Sequence, residues 1–268
     1  MKNTPFIAVT SQPVPYHADT TAIFNTLCQQ NSNSLLLDSA EIGSKNSLQS
    51  LILINAAVKI TCLGNQVTFR ALNANGKQVL KEIHPVLSQL GTVSAVNFDD
   101  EFSVQFAPLD NQLDEDSKLQ AATIFDGLRV ISNHYQHSST PVFLGGLFAY
   151  DLVANFIPMQ GVELKDDGIH CPDYSFYLAE NLITIDHQSQ QATLKSFCFS
   201  QEEQVEVAKT ALSIAQKLKN IDGVLSIKAA SDEVSTNFED PEFTGIVKAL
   251  KHHINIGDVF PVSYTHLT

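Results

Sequence analysis

Residues 51–72 read LILINAAVKITCLGNQVTFRAL, and this stretch decides the fold class of the chain. It contains three short segments rich in apolar and β-branched residues, at 51–54, 58–63 and 67–72, each with the length of a strand. The Gly-Asn dipeptide at 64–65 separates the last two runs and is typical of a tight β-hairpin. We therefore expect successive strands, the last two of which pair as a hairpin.

Helices and further strands flank this stretch. Helical periodicity predicts helices at 20–30, 76–90, 117–135, 201–218 and 241–256. Further strands are predicted at 35–37, 93–98, 102–106, 174–178, 182–186 and 192–199, with a hairpin turn at Glu180-Asn181. Runs of adjacent strands mixed with long helices favour an α+β fold, a layered β/α sandwich, over strict βαβ alternation.

The composition is that of a globular protein. The chain has 268 residues, of which 44% are hydrophobic and 17% charged, enough for one large domain or two smaller ones. Its formal net charge is −13 and it has no basic cluster, which argues against nucleic acid or an anionic membrane as a partner. No apolar stretch could cross a bilayer and no secretory h-region follows the N-terminus, so we expect a cytoplasmic protein.

Cysteine and histidine spacing predicts no metal site. The four cysteines, at 28, 62, 171 and 198, lack metal-binding spacing and are expected to be free thiols of a reduced compartment. His134 and His137 lie near a helix end without a Glu or Cys to complete a site, and the adjacent His252 and His253 point to different helix faces. Nucleotide-binding, nucleophile-elbow and zinc-protease motifs are also missing from the sequence.

A carboxylate and a hydroxyl follow a leucine run at 35–39, which reads Leu-Leu-Leu-Asp-Ser. Three leucines in a row are typical of a strand that is covered on both faces, and Asp and Ser are typical of its exit. A small amphipathic ligand could be held there by its ammonium and carboxylate groups. The alternative is a strand followed by an Asx-type turn, which the spacing alone favours.

Four blocks of the sequence resemble anthranilate synthase component I, in the order in which that family has them. They are residues 35–64, FLGGLFAYDL at 143–152, CPDYSFYLAE at 171–180, and 243–260, which ends in Gly-Asp-Val-Phe. The second is similar to the family's Gly-Gly-Leu-Phe-x-Tyr-Asp element. The third is similar to its Cys-Pro-Asp-x-x-Phe-Tyr-Leu-Ala-Glu element. Together the blocks extend over nearly the whole chain.

The resemblance implies an activity, a cofactor and partners. The family converts chorismate and ammonia into anthranilate and pyruvate, the first step of tryptophan biosynthesis. A separate glutamine amidotransferase subunit supplies the ammonia, and Mg²⁺ assists the amination and the elimination of pyruvate. L-tryptophan inhibits the family by differential affinity for two conformations.

The resemblance also implies inhibitor contacts at the leucine run. In the family, a Leu-Leu-Glu-Ser element helps to bind L-tryptophan, and Asp38 replaces the Glu here with one methylene less. Asp38 would then pair with the ligand ammonium, Ser39 would hydrogen-bond its polar end, and Leu37 would offer an apolar wall. Gln49 stands where some relatives have a Lys, so no role is carried onto it.

The resemblance divides the chain into domains. Residues 1–220 would form the N-terminal regulatory domain, 221–239 a linker, and 240–260 the start of the chorismate-binding domain. The family's catalytic residues and magnesium-binding glutamates lie downstream of that start. We therefore expect a fragment that contains no catalytic or metal-binding residue and is inactive alone.

The last residues depart from the family, which continues Gln-Val-x-x-Ser-x-Arg where this chain reads PVSYTHLT at 261–268. The final VSYTHLT is the translation of GTC-TCT-TAT-ACA-CAT-CTG-ACG, one frame of the transposon end and adapter used in sequencing libraries. We therefore expect residues 261–268 to be a non-native tail.

Two other functional classes stay open. One is aminodeoxychorismate synthase component I, which shares the fold and is separated by the product that it forms. The other is a stand-alone module that binds an amino acid without catalysis. A native gene that ends after Thr268 would favour that module.

Overall fold

The structure is a computed structural model, and it describes residues 5–29, 31–38, 48–97, 100–108, 114–156, 171–221 and 236–258. The chain divides into two compact units, Met1–Val224 and Leu225–Thr268.

The first unit mixes strands with helices. Its described strands are β1 (Ala8–Val14), β2 (Leu35–Asp38), β3 (Gln49–Leu63), β4 (Gln66–Ala71), β5 (Thr92–Asn97), β6 (Glu101–Gln105), β7 (Leu144–Phe148), β8 (Tyr174–Asp186) and β9 (Gln191–Cys198). Its described helices are α1 (Thr20–Cys28), α2 (Ala74–Leu87), α3 (Glu115–Gln120), α4 (Asp126–His134), α5 (Gln204–Leu218) and a 3₁₀ helix at Tyr150–Asn155. The second unit contributes α6 (Asp240–Asn255).

The described strands form one antiparallel sheet with the order β1-β9-β8-β3-β4-β6-β5. Strand β2 pairs with β3, and β7 pairs with β8. The two longest strands, β3 and β8, pair with each other along almost their whole length. Their ladder shifts register between Leu53 and Val58, where irregularities of this kind bend a strand. Strands β2 and β9 pair with the two long strands on one side of this irregularity, and β4 and β7 pair with them on the other side.

Both faces of the sheet are covered near the start of β3. Ile52 and Ile54 belong to a cluster that packs α1 and α5 against β3, β8 and β9. Leu53 belongs to a larger cluster that includes residues of α2 and α4. The split follows from the strand geometry, because successive side chains point to opposite faces. Helices packed on an antiparallel sheet confirm the predicted α+β class.

Helix α2 lies close against β3 at its first turn. The side chain of Asn73 caps the helix by accepting a hydrogen bond from the backbone N–H of Gly76. A Cβ atom at Gly76 would lie 1.9 Å from the carbonyl oxygen of Ala57, so only glycine fits. The close approach fixes where α2 begins on the sheet.

The predicted hairpin at 64–65 is confirmed, whereas the predicted hairpin at Glu180-Asn181 is wrong. Gly64 adopts a φ of 56° at the turn between β3 and β4. Strand β8 instead continues through 180–181, where its ladder with β3 is irregular, because both polar side chains find interior partners. Asn181 donates to the Ser196 hydroxyl at 2.8 Å and accepts from Asn55 at 3.1 Å. The strands predicted at 51–54 and 58–63 likewise form the single strand β3.

The helix predicted over 117–135 is two helices, α3 and α4. The backbone N–H of Thr123 donates to the Asp126 carboxylate at 2.7 Å, a turn contact that separates them. Strand β1 was not predicted from the sequence. It carries Pro13 and pairs only with β9 among the described strands, an edge position that tolerates proline.

In the second unit, α6 begins after Glu239, one residue before the predicted cap Asp240, and Pro241 lies in its first turn. None of its described side chains is buried, and Phe243 is 58% exposed. The predicted linker and tail fall mostly outside the described residues. No helix in the described ranges combines the length and the apolar character needed to cross a bilayer.

Candidate ligand site at the end of strand β2

Strand β2 runs from the interior to the surface over four residues. Leu35 is half-buried against the larger core cluster, and Leu36 against the smaller one. Leu37 is 42% exposed and Asp38 is exposed. The strand is therefore half-buried on both faces at its start, whereas Leu37, predicted to be buried with the other two leucines, is exposed beside Asp38 at its end. Ser39 lies outside the described residues.

The carboxylate of Asp38 is held by a serine on the neighbouring strand. The antiparallel register of β2 and β3 places Asp38 directly opposite Ser50. The Ser50 hydroxyl donates a hydrogen bond to Oδ1 of Asp38. The hydroxyl oxygen of Ser50 lies 2.8 Å from Nε2 of His187, which follows the end of β8.

The hydrogen-bonded chain continues to Tyr16, beyond the end of β1. The Tyr16 hydroxyl lies 3.2 Å from Nδ1 of His187, and the two rings meet edge to face with centroids 5.8 Å apart. One arrangement of protons satisfies every link. In the tautomer that carries its proton on Nε2, His187 donates to Ser50 and accepts at Nδ1 from Tyr16, while Ser50 donates to Asp38.

This chemistry suits ion binding and does not suit nucleophilic catalysis. A nucleophilic serine needs a base that takes its proton, with the carboxylate placed behind the base. Here the Ser50 hydroxyl contacts the carboxylate directly, and Ser50 has no exposed surface. The exposed Asp38 carboxylate is instead an acceptor for a cationic group, with the apolar side chain of Leu37 beside it.

Sequence reasoning identified Leu37 and Asp38 but missed the residues behind them. Ser50 and His187 are 137 positions apart, and Tyr16 and His187 are 171 positions apart. No spacing in the sequence connects them. Ser50 stands in the same apolar stretch as the rest of β3, and only the register of the sheet shows that it faces Asp38.

Of the two histidines predicted not to bind metal, His134 contacts a carboxylate. Nε2 of His134 lies 2.9 Å from the Glu82 carboxylate, and the Tyr135 hydroxyl donates to the same carboxylate oxygen at 2.9 Å. Burial would raise the pKa of Glu82, but hydrogen bonds from His134, Gln78 and Tyr135 outweigh it and lower this pKa. In the described ranges no group of three His, Cys, Asp or Glu side chains could hold a metal ion. The Mg²⁺ that the resemblance implies therefore has no fitting site among these residues.

Three of the four resemblance blocks meet in the sheet, where their residues have structural roles. The Asp173 carboxylate accepts from the backbone N–H of Gly64 at 2.6 Å and from the Asn155 amide at 2.8 Å. Gly146 lies opposite Phe176 in the ladder of β7 and β8, and a Cβ there would strike the backbone of β8. These blocks fix the contacts of β8 with its neighbours.

The comparisons with known proteins agree with the blocks. A family model described as chorismate binding enzyme matches residues 79–268, and the chain belongs to this family. The chain is 86% identical to anthranilate synthase component 1 of Haemophilus influenzae over 257 residues, 96% of this chain and 50% of that protein. It is 40% identical to the Vibrio cholerae protein of the same name over 272 residues, 98% of this chain and 50% of that protein. The resemblance predicted from the sequence is confirmed.

The chain spans about half the length of the curated relatives that it matches. Among solved structures, anthranilate synthase component I of Streptococcus pneumoniae matches with a TM-score of 0.38 and 14% identity. That match covers 83% of this chain and 41% of the other.

Proposed function

We propose that this chain is part of the large component of an anthranilate synthase. The whole protein would convert chorismate and ammonia into anthranilate and pyruvate, the first step of tryptophan biosynthesis, with the ammonia supplied from glutamine by an amidotransferase subunit. The observation that carries the proposal is the 86% identity to anthranilate synthase component 1 over 96% of the chain. Its free cysteines, three of them buried, support a reduced, cytoplasmic setting.

The chemistry would lie in the half of the relatives that this chain does not match. As the resemblance implies, Mg²⁺ would be bound there, and the described residues contain no group of side chains that could hold a metal ion. The chorismate-contacting residues would lie there as well. This chain would then supply the regulatory half of the protein and be inactive alone.

Product analysis tests this proposal. A full-length chimera would join residues 1–258 of this chain to the remaining half of the Haemophilus influenzae relative. Combined with its amidotransferase subunit, chorismate, glutamine and Mg²⁺, it is expected to form fluorescent anthranilate, while the 268-residue chain forms none. Because the catalytic half comes from the relative, the test is whether residues 1–258 of this chain support it. A chimera that forms no anthranilate, beside normal formation by the whole relative, would contradict the proposal.

We further propose that the end of β2 binds L-tryptophan as a feedback inhibitor. Asp38 would pair with the ligand ammonium, Ser39 would hydrogen-bond its polar end, and Leu37 would contact the apolar part. The exposed position of Leu37 and Asp38 and the oriented carboxylate support this assignment.

The Ser39→Phe variant of the full-length chimera tests the site. A bulky ring beside Asp38 would occupy the ligand space, so we expect tryptophan inhibition to be abolished. The readout is the ratio of anthranilate formation with and without tryptophan in one preparation. Leu63→Phe, at a 69% exposed position on β3, is a matched control that should keep inhibition. Normal inhibition of Ser39→Phe would remove Ser39 from the site.

A further inference from the structure

A chain of three hydrogen-bonded contacts extends from the exposed Asp38 carboxylate to Tyr16. It joins the end of β2 to β3 through Ser50, to the residue after β8 through His187, and to the segment after β1 through Tyr16. We propose that Ser50 is a positioning residue that orients the Asp38 carboxylate toward an amino-acid ligand, and that His187 and Tyr16 hold Ser50 in place. The inference rests on the proposed tryptophan site and names the residues that tune it.

The first argument is reach. Directly opposed residues in an antiparallel pair have Cβ atoms about 4.5–5.5 Å apart, so two short side chains can be bridged by one hydrogen bond. Asp38 and Ser50 are such a pair. The Glu of the family's element is one methylene longer, so its carboxylate would lie farther from the main chain than that of Asp38. Aspartate at this position is thus matched to the serine across from it.

The second argument is the direction of the hydrogen bonds. The single hydroxyl proton of Ser50 goes to Oδ1 of Asp38, so the oxygen of Ser50 is left to accept from Nε2 of His187 in the tautomer that carries its proton there. Tyr16 supports that tautomer by contacting Nδ1. Among the described residues, the hydrogen bond to Asp38 is made at Oδ1, so Oδ2 would be the oxygen that meets a ligand.

The third argument is entropy. A side chain that is already fixed loses less rotamer freedom when a ligand binds, so a preorganised carboxylate binds an ammonium more tightly than a mobile one. Ser50 is completely buried and therefore a rigid anchor, while Asp38 is exposed and would otherwise sample several rotamers. The positioning role accordingly predicts an effect on ligand affinity beyond any effect on folding.

The alternative is that Ser50 merely satisfies buried hydrogen bonds. Ser196 provides a matched control, because its side chain is 2% exposed and accepts a hydrogen bond from Asn181 at 2.8 Å. It lies on β9, which β8 and β3 separate from β2. Ser50→Ala and Ser196→Ala should cost similar stability, but only the first should affect the ligand.

The experiment measures the Kd of L-tryptophan by calorimetry in the full-length chimera with its amidotransferase subunit, together with the thermal midpoint of each variant. We expect Asp38→Ala to weaken binding roughly 100-fold and Ser50→Ala about 5-fold. Adding Ser50→Ala to Asp38→Ala should weaken binding no further, because the serine acts through the carboxylate. Ser196→Ala should bind like the parent protein.

Variants of His187 and Tyr16 keep the test informative if Ser50→Ala does not fold. His187→Gln retains an N–H donor toward Ser50 and should bind more tightly than His187→Leu. Tyr16→Phe removes one hydroxyl and should weaken binding about 2-fold.

Different results would contradict the tryptophan site and the positioning role of Ser50. An unchanged Kd in Asp38→Ala would overturn the tryptophan site and the positioning role with it. A weakened Asp38→Ala beside a Ser50→Ala variant that binds like Ser196→Ala would overturn the positioning role alone. So would an additive loss in the double variant, because the serine would then contact the ligand independently of Asp38.

Discussion

Glu180 carries a carboxyl group into the interior of the sheet. Its Oε2 atom accepts hydrogen bonds from the side-chain amides of Asn73 and Asn75, at 2.9 and 2.8 Å. Burial raises the pKa of Glu180, the two amides offset part of that rise, and the nearby Glu203 adds to it. The ionised carboxyl is therefore disfavoured in the folded protein relative to the unfolded chain.

Replacing Glu180 by glutamine should stabilise the protein at alkaline pH. Because the folded-state pKa is above the unfolded one, the wild-type protein loses stability as the pH rises from the ordinary glutamate value through the raised value. Glu180→Gln keeps an acceptor for both amides without the charge. We expect a gain at pH 8 of about 1.4 kcal/mol for each unit by which the pKa is raised, and no gain below about pH 4.

Urea unfolding of Glu180→Gln and wild type at the two pH values measures this gain. The control is Glu202→Gln, at an exposed position, which should show no difference between the two conditions. Equal stability of Glu180→Gln and wild type at pH 8 would mean that the two amides fully compensate the burial of the charge.

The residues of the candidate site were predictable only in part. The sequence of residues 35–39 indicated Leu37, Asp38 and Ser39, because it resembles the family's Leu-Leu-Glu-Ser element. Ser50 is 12 positions from Asp38, and the later partners are much farther away in the sequence. Such contacts depend on sheet register, which a single sequence does not display.

At the scale of elements, local signals were reliable where the chain turns tightly. The hairpin between β3 and β4 was predictable, because Gly64 occupies a left-handed conformation that glycine adopts without strain. The continuity of β8 was not, because polar residues inside a strand look like a turn until their buried partners are known. The contact between α2 and β3 was not predictable from the sequence either, because its only trace there is a glycine in the first turn of the helix.

That contact predicts a severe cost for Gly76→Ala. The added Cβ would lie 1.9 Å from the carbonyl oxygen of Ala57, and backbone atoms on both sides would have to move. We expect a loss of about 3 kcal/mol in the free energy of unfolding, measured with urea at fixed pH. Gly245→Ala is the matched control, since an added Cβ in α6 meets no atom within 4 Å and alanine favours helix by about 1 kcal/mol. A Gly76→Ala variant as stable as this control would contradict the close approach.

At the scale of the whole molecule, the first unit contains its own cores. The described residues of both hydrophobic clusters, with the apolar side chains packed against them, end at Ile221. The resemblance blocks that lie within this unit are joined by its sheet, through contacts such as that of Asp173 with Gly64. Helix α6, by contrast, has no buried side chain among its described residues. The sequence predicted this division at about residue 220, and it stays a prediction that truncation can test.

A chain that ends at residue 221 should fold with the same unfolding transition as the 268-residue chain. It keeps the residues of both described core clusters, so its thermal midpoint, followed by circular dichroism, should lie within about 3 °C of the longer chain. A chain that ends at residue 203 is the matched control. It lacks α5, whose Ile214 and Leu218 are buried in the smaller cluster, and should show no cooperative transition. If the chain that ends at residue 221 also lost the transition, residues beyond 221 would be part of the folding unit. The regulatory half could then not be separated from the rest of the protein.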